Sequence, residues 1–246
     1  MTSIIIAAVL AVQTPQVQTY LSQMILDRFT IGSDALIQFG KIHFRPFNTI
    51  IVKDIEVIDK APADSAARDT LFSAEYVIAR FSLKGLREKE GIHIGRAYVR
   101  GAQMNLVIEK NQTNLERMFG IRKDREKKDS HENVFDIRRA FIDGMSFRLQ
   151  NFRNTLGHES GGIRWDDLDV TDIEIEARNL RLSDKTMKGT LDNLSFREKS
   201  GYECSSISGS AQVGHGLASV TALNLSDKWS DINIPEFSMG YRTARD

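Results

Sequence analysis

One cysteine, Cys204, stands alone among 246 residues, so no intramolecular disulfide can hold the chain. That suits the cytosol, and equally a periplasmic β-protein that does without disulfides. Four prolines and 17 glycines are too few for a collagen-like or low-complexity chain. Neither sign of charge prevails: 33 basic residues balance 33 acidic ones, which removes any global electrostatic case for binding nucleic acid. Clustered catalytic side chains are missing too. His43, His93, His131, His158 and His215 are widely spaced, and His158-Glu159 lacks the second histidine of a zinc helix. Gly214-His215-Gly216 is not followed by the Lys-Ser/Thr of a phosphate loop. Asp166, Asp167, Asp169 and Asp172 lack the central turn glycine of a calcium loop, and strict alternation puts Asp167 and Asp169 on one strand face and Asp166 and Asp172 on the other. No enzyme activity, cofactor or metal is expected.

A long hydrophobic run is also absent. Ile4 to Val12 is wholly apolar, with Ile4, Ile5, Ile6, Val9, Leu10 and Val12 as its large members, but a helix needs about 20 such residues to span a bilayer. Met1-Thr2-Ser3 supplies no basic n-region. Residues 1–13 are therefore read as a truncated signal anchor, with a short buried helix as the alternative. Thr14-Pro15 then starts an amphipathic helix over residues 14–30. Val17, Tyr20, Leu21, Met24 and Ile25 form its apolar face and uncharged polar residues its other face. It suits a membrane interface, the mouth of an apolar groove, or a cap over the end of a sheet.

What the chain has in abundance is alternation. Met104, Leu106 and Ile108 alternate with polar residues, as do Met145, Phe147 and Leu149, and again Ile173, Ile175 and Ala177. Successive strand side chains point to opposite faces, so each run gives a sheet one apolar and one wet side. Strands are predicted near 36–44, 50–58, 71–83, 92–100, 103–110, 134–142, 145–151, 164–170, 172–182, 187–198, 202–213, 217–225 and 232–241. Asp143-Gly144 reads as a hairpin turn, and Asn114 to Phe119 as a short helical turn. The charged octet Arg122 to Asp129, within a loop at 121–132, separates a first β segment (31–120) from a second (133–246). A weak repeat aligns Val52–Asp59 with Trp165–Asp172.

The order of these features resembles a known family. The apolar start runs into Leu10-Ala-Val-Gln-Thr-Pro-Gln-Val-Gln-Thr-Tyr-Leu21. It is followed by Ile50-Ile-Val-Lys-Asp-Ile-Glu-Val-Ile-Asp59, Asp69-Thr-Leu-Phe-Ser-Ala74 and Gly101-Ala-Gln-Met-Asn-Leu106. Asn193–Tyr202 and Trp229–Phe237 continue the likeness. The chain resembles the N-terminal part of TamB-like proteins of the AsmA-like superfamily, in their Bacteroidota form. The resemblance implies a mainly β fold, an elongated, curled antiparallel sheet forming a half-open groove behind a signal anchor. It also implies an inner-membrane protein of a Gram-negative envelope, with its bulk in the periplasm. Membrane phospholipids and an outer-membrane BamA-type barrel are the implied partners. Two departures stand out: the basic flank of the anchor is missing, and family members are far longer, so the chain reads as a fragment.

The function expected on this basis is lipid transfer for envelope biogenesis, with an apolar groove carrying acyl chains toward the outer membrane. Met104, Leu106, Ile108, Met145, Phe147, Leu149, Ile173 and Ile175 are the candidate lining. The same stripes would equally fill the core of a closed β-sandwich. The alternative function is a non-enzymatic scaffold that offers sheet edges during outer-membrane protein assembly or secretion, as a translocation and assembly module.

Overall fold

The structure is a computed structural model that describes residues 35–45, 48–59, 70–81, 91–109, 112–119, 134–152, 162–183 and 186–240. The expected anchor at 1–13, the amphipathic helix at 14–30 and the charged loop at 121–132 lie outside these residues. Among the described residues, no helix is long and apolar enough to cross a membrane.

Twelve strands form one sheet. β1 (Ala35–Arg45), β2 (Thr49–Asp59), β3 (Thr70–Phe81) and β4 (Gly91–Arg100) meander antiparallel. β5 (Gln103–Glu109) continues in the slot that β4 occupies, between β3 and β7 (Val134–Asn151). A two-residue β6 (Gln112–Thr113) and a helix, α1 (Asn114–Phe119), follow β5. β8 (Asp167–Leu182), β9 (Thr186–Glu198), β10 (Glu203–Gly214), β11 (Leu217–Asp227) and β12 (Asp231–Gly240) complete an antiparallel meander. One sheet thus joins the two segments that the charged octet separates in sequence.

Three expectations need correction. The sheet is mixed, because β4 and β5 run parallel to β7. Residues 110–133, between β5 and β7, exceed the dozen or more residues that a crossover to a parallel strand requires. Asp143-Gly144 is not a hairpin: β7 runs straight through it as one 18-residue strand. Gly144 takes a left-handed backbone, φ 66°, inside the strand. The segments 164–170 and 172–182 also merge, into β8, through Asp172 at φ 52°.

These left-handed residues share a local rule. Asp54, Gly101, Gly144, Asp172, Asn179 and Ala222 have φ between 51° and 66°. Each follows the pattern apolar-x-left-handed-apolar-x-apolar: Val52-Lys-Asp54-Ile-Glu-Val57, Val170-Thr-Asp172-Ile-Glu-Ile175 and Val220-Thr-Ala222-Leu-Asn-Leu225 show it plainly. A single left-handed residue changes the phase of the pleat, so two successive residues leave the apolar face before alternation resumes. Glycine, asparagine and aspartate tolerate that backbone; alanine at 222 bears its steric cost. The structurally equivalent repeat therefore aligns Asp54 with Asp172, not with Asp167. Asp172 also shares the polar side of β8 with the half-buried Asp167 and Asp169, contrary to strict alternation.

The phase shifts line up across strands. Lys41, Lys53, Tyr76, Arg100 and Asp143 form one paired row through β1–β4 and β7. Gly40, Asp54, Glu75, Gly101 and Gly144 stand beside it. A Cβ on Gly101 would come within 2.6 Å of the Glu75 side chain, so glycine answers here to crowding as well as to φ.

α1 begins as its sequence suggests. The Thr113 hydroxyl accepts the Glu116 N–H (3.0 Å), and Glu116 Oε2 accepts the Thr113 N–H (2.8 Å), a reciprocal capping box. Asn114 stands in for a missing strand neighbour of β5. Its Oδ1 accepts the Val107 N–H (3.0 Å) and its Nδ2 donates to the Asn105 carbonyl (2.9 Å). The helix then drives Met118 into a cluster with Ala35 and Leu71, flanked by Val57, Phe72 and Leu115. Arg117 ties the same corner, bonding Asp59 Oδ2 (2.5 Å) and Glu109 Oε2 (3.1 Å).

Candidate functional site

Most apolar residues of the long strands fall on one face and meet in rows. One row crosses ten strands: Ile42, Val52, Val77, Val99, Ile142, Ile175, Leu194, Ile207, Leu225 and Ile232. A neighbouring row narrows to alanine in the middle of the sheet, with Ala79, Ala97, Ala140 and Ala177 paired in succession. A third runs along the rim from Phe135 through Leu182, Met187, Val213 and Ala218 to Met239. Each cross-strand apolar pair adds roughly 0.2–1 kcal/mol, and the rows together make a continuous apolar surface.

The eight residues predicted from alternation lie on this face. Met104 pairs with Phe147 and Leu106 with Leu149 across the parallel β5–β7 ladder, and Ile108 follows in the same alternation. Met145 pairs with Ile173, while Ile142 brings Ile175 into the ten-strand row. They occupy three neighbouring strands, so they represent only part of the face. Prediction missed its extension over β1–β4 and β9–β12. The signal was present as apolar spacing of two, then three: Leu168, Val170, Ile173, Ile175, Ala177, Leu180 and Leu182 mark β8. A template of strict alternation loses phase at each left-handed residue.

Coverage differs along the face. Near α1 it is packed, as Ala35, Leu71, Ala102 and Met118 are buried. Along the rim and on the edge strand β12 it lies open: Leu182, Met187, Phe237 and Met239 are 51–56% exposed. Beside Leu182 and Met187 a concavity of about 360 Å³ is lined by Phe135, Ile137, Leu180, Leu191, Ala211 and Val213, among others. Apolar atoms supply nearly all of its wall, with Arg181 and Lys188 contributing to it as well.

Polar chemistry sits elsewhere. Cys204 is buried, and burial pushes its thiol above the ordinary range, so it packs as a small apolar side chain. Tyr98 donates to Asp143 Oδ2 at 2.6 Å; that bond to a carboxylate, then burial, push its phenol up to about 12. Asp167 faces Lys199 (3.5 Å) and Arg148 (3.9 Å), and Asp172 faces Arg197 (3.2 Å). Among the described residues, no three His, Cys, Asp or Glu side chains are grouped to hold a metal. No family model matches the chain, and no curated protein matches it.

Proposed function

We propose that this chain is a TamB-like groove segment that holds lipid acyl chains against its apolar face and passes them along the sheet. On this reading the protein is anchored in the inner membrane, faces the periplasm and moves phospholipid toward an outer-membrane partner. The observation that supports it is the continuous apolar face across ten strands, with its rim left open at Leu182, Met187 and Met239.

The creases favour a curled, half-open trough. Left-handed residues aligned over neighbouring strands bend and twist a sheet in one direction. The apolar concavity beside Leu180 and Ala211 is where such a bend would seat a chain. Each methylene leaving water gains about 0.8 kcal/mol. Equivalent rows repeat across the sheet at roughly 4.8 Å, so an acyl chain can step sideways between sites of similar affinity while its headgroup stays in water.

Native mass spectrometry of the full chain, purified from a Gram-negative host, tests the proposal. Wild-type protein is expected to carry co-purified phospholipid. The double variant Leu182→Asp, Phe237→Asp is expected to lose it while keeping its β circular-dichroism spectrum, since both side chains are exposed. A folded wild type without lipid would sink the reading and turn attention to sheet edges as an assembly scaffold.

A further inference from the structure

The face opposite the apolar rows carries a second concavity, of about 720 Å³, walled by Arg45, Arg80 and Arg96 with Asn48, Tyr98 and Phe141. Strand pairing builds it: Arg45 opposes Thr49, Thr49 opposes Arg80, and Arg80 opposes Arg96. Two arginines directly opposite each other on one sheet face repel, and the sheet does nothing to relieve them. Among the described residues, none of the three arginines has a carboxylate within ion-pair distance. Two rows along the same face the sheet behaves differently, since Arg100 lies between Glu75 (3.8 Å) and Asp143 (3.9 Å). Arg139, opposite Arg178, extends the positive row onto β7, while Arg178 already has Asp192 at 3.3 Å.

The remaining wall suits a ligand that is anionic at one end. Arg96 lies over the Phe141 ring at 5.9 Å, which holds its guanidinium plane while leaving N–H groups free. Tyr98 donates a hydrogen bond to Asp143 and keeps its proton, so it adds aromatic surface without negative charge. The rim is held in place: Asn48 Nδ2 donates to the Phe81 carbonyl (2.9 Å), and the Phe81 N–H donates to the Asn48 carbonyl (2.8 Å).

We propose that Arg45, Arg80 and Arg96 form a binding site for a phosphate ester or pyrophosphate. Guanidinium forks match phosphate oxygens in paired hydrogen bonds, and a doubly charged group would neutralise the Arg80–Arg96 repulsion. The site lies on the face away from the acyl trough and does not rest on it.

Titration calorimetry of the full chain with pyrophosphate at low salt, beside flotation with phosphatidylcholine vesicles with and without phosphatidic acid, tests this. Wild type is expected to bind at least one probe. Pyrophosphate alone identifies a soluble ester, and flotation dependent on phosphatidic acid identifies a lipid headgroup. The variant Arg80→Gln, Arg96→Gln is expected to weaken binding about tenfold or more and to unfold no earlier than wild type, because a repulsion is removed. Arg100→Gln, which alters a paired arginine, should change binding less than about twofold, and Leu182→Asp, Phe237→Asp should leave it intact. No binding of either probe by wild type, or equal losses in the Arg80/Arg96 and Arg100 variants, would overturn the site.

Discussion

The two ends of the apolar face differ in what covers them, although the same side-chain pattern builds both. At the β1–β3 end, a six-residue helix seals Met118 against Ala35 and Leu71, and Arg117 locks onto Asp59. Over β8–β12, Leu182, Met187, Phe237 and Met239 keep half or more of their surface in water. The covered end contributes stability; the open end keeps apolar surface in reserve, at roughly 25 cal/mol per Å² still to be gained by burial. The proposed lipid carriage would draw on this division of labour: one firm corner and one unsatisfied slope.

The largest expected effect is a contrast between two methionines. Met118→Ala should cost about 2–4 kcal/mol in urea unfolding, from lost burial plus the cavity left behind. Met239→Ala, on the open slope, should stay within about 0.5 kcal/mol. Equal losses at both sites would mean that the slope is covered in solution.

A second contrast separates backbone from packing. A Cβ on Gly144 meets nothing within 4 Å, so Gly144→Ala isolates the cost of φ 66° and should lose about 1–2 kcal/mol. Ala222→Gly, at φ 51°, should instead gain up to about 1 kcal/mol, an uncommon sign for a glycine placed inside a strand. A destabilised Ala222→Gly would show that the creases carry no steric strain.

The smallest effect is confined to the β11–β12 turn. Asp227 Oδ1 accepts the N–H groups of Trp229 and Ser230, both at 2.7 Å, and Tyr202 donates to Oδ2 at 3.0 Å. The Trp229 amide above all, with Tyr202 and Ser230, holds this carboxyl below its ordinary value. Its contribution is therefore fully present above the unfolded carboxyl pKa, about 3.9, and is lost as pH falls through the lower folded value. Amide exchange at Trp229 and Ser230 should quicken in acid below that range, and Asp227→Asn should remove most of this dependence. An unchanged acid response in Asp227→Asn would assign it to other carboxylates.

Much of the sheet was legible from alternation, because side chains two apart share a face wherever the backbone is uniformly extended. Ile173, Ile175 and Ala177 were found that way, and Asn114 to Phe119 was recognisable as a helical turn. Reading failed where one residue turned left-handed. Asp143-Gly144 carries the chemistry of a hairpin turn, yet pairing with β4 and β5 on one side and β8 on the other holds the strand straight through it. The parallel β4–β7 ladder was equally invisible, since strand direction depends on where a connection returns the chain.

The apolar rows along each strand and the capping box at Thr113 and Glu116 are local, and the sequence by itself determined them: they follow from side-chain period and hydrogen bonds within a few residues. Tertiary structure alone decided that ten strands bring those rows into one register, that α1 covers one corner and leaves the far slope open, and that Arg45, Arg80 and Arg96 meet on the other face. These depend on pairings between residues tens of positions apart, which close only when the whole sheet forms.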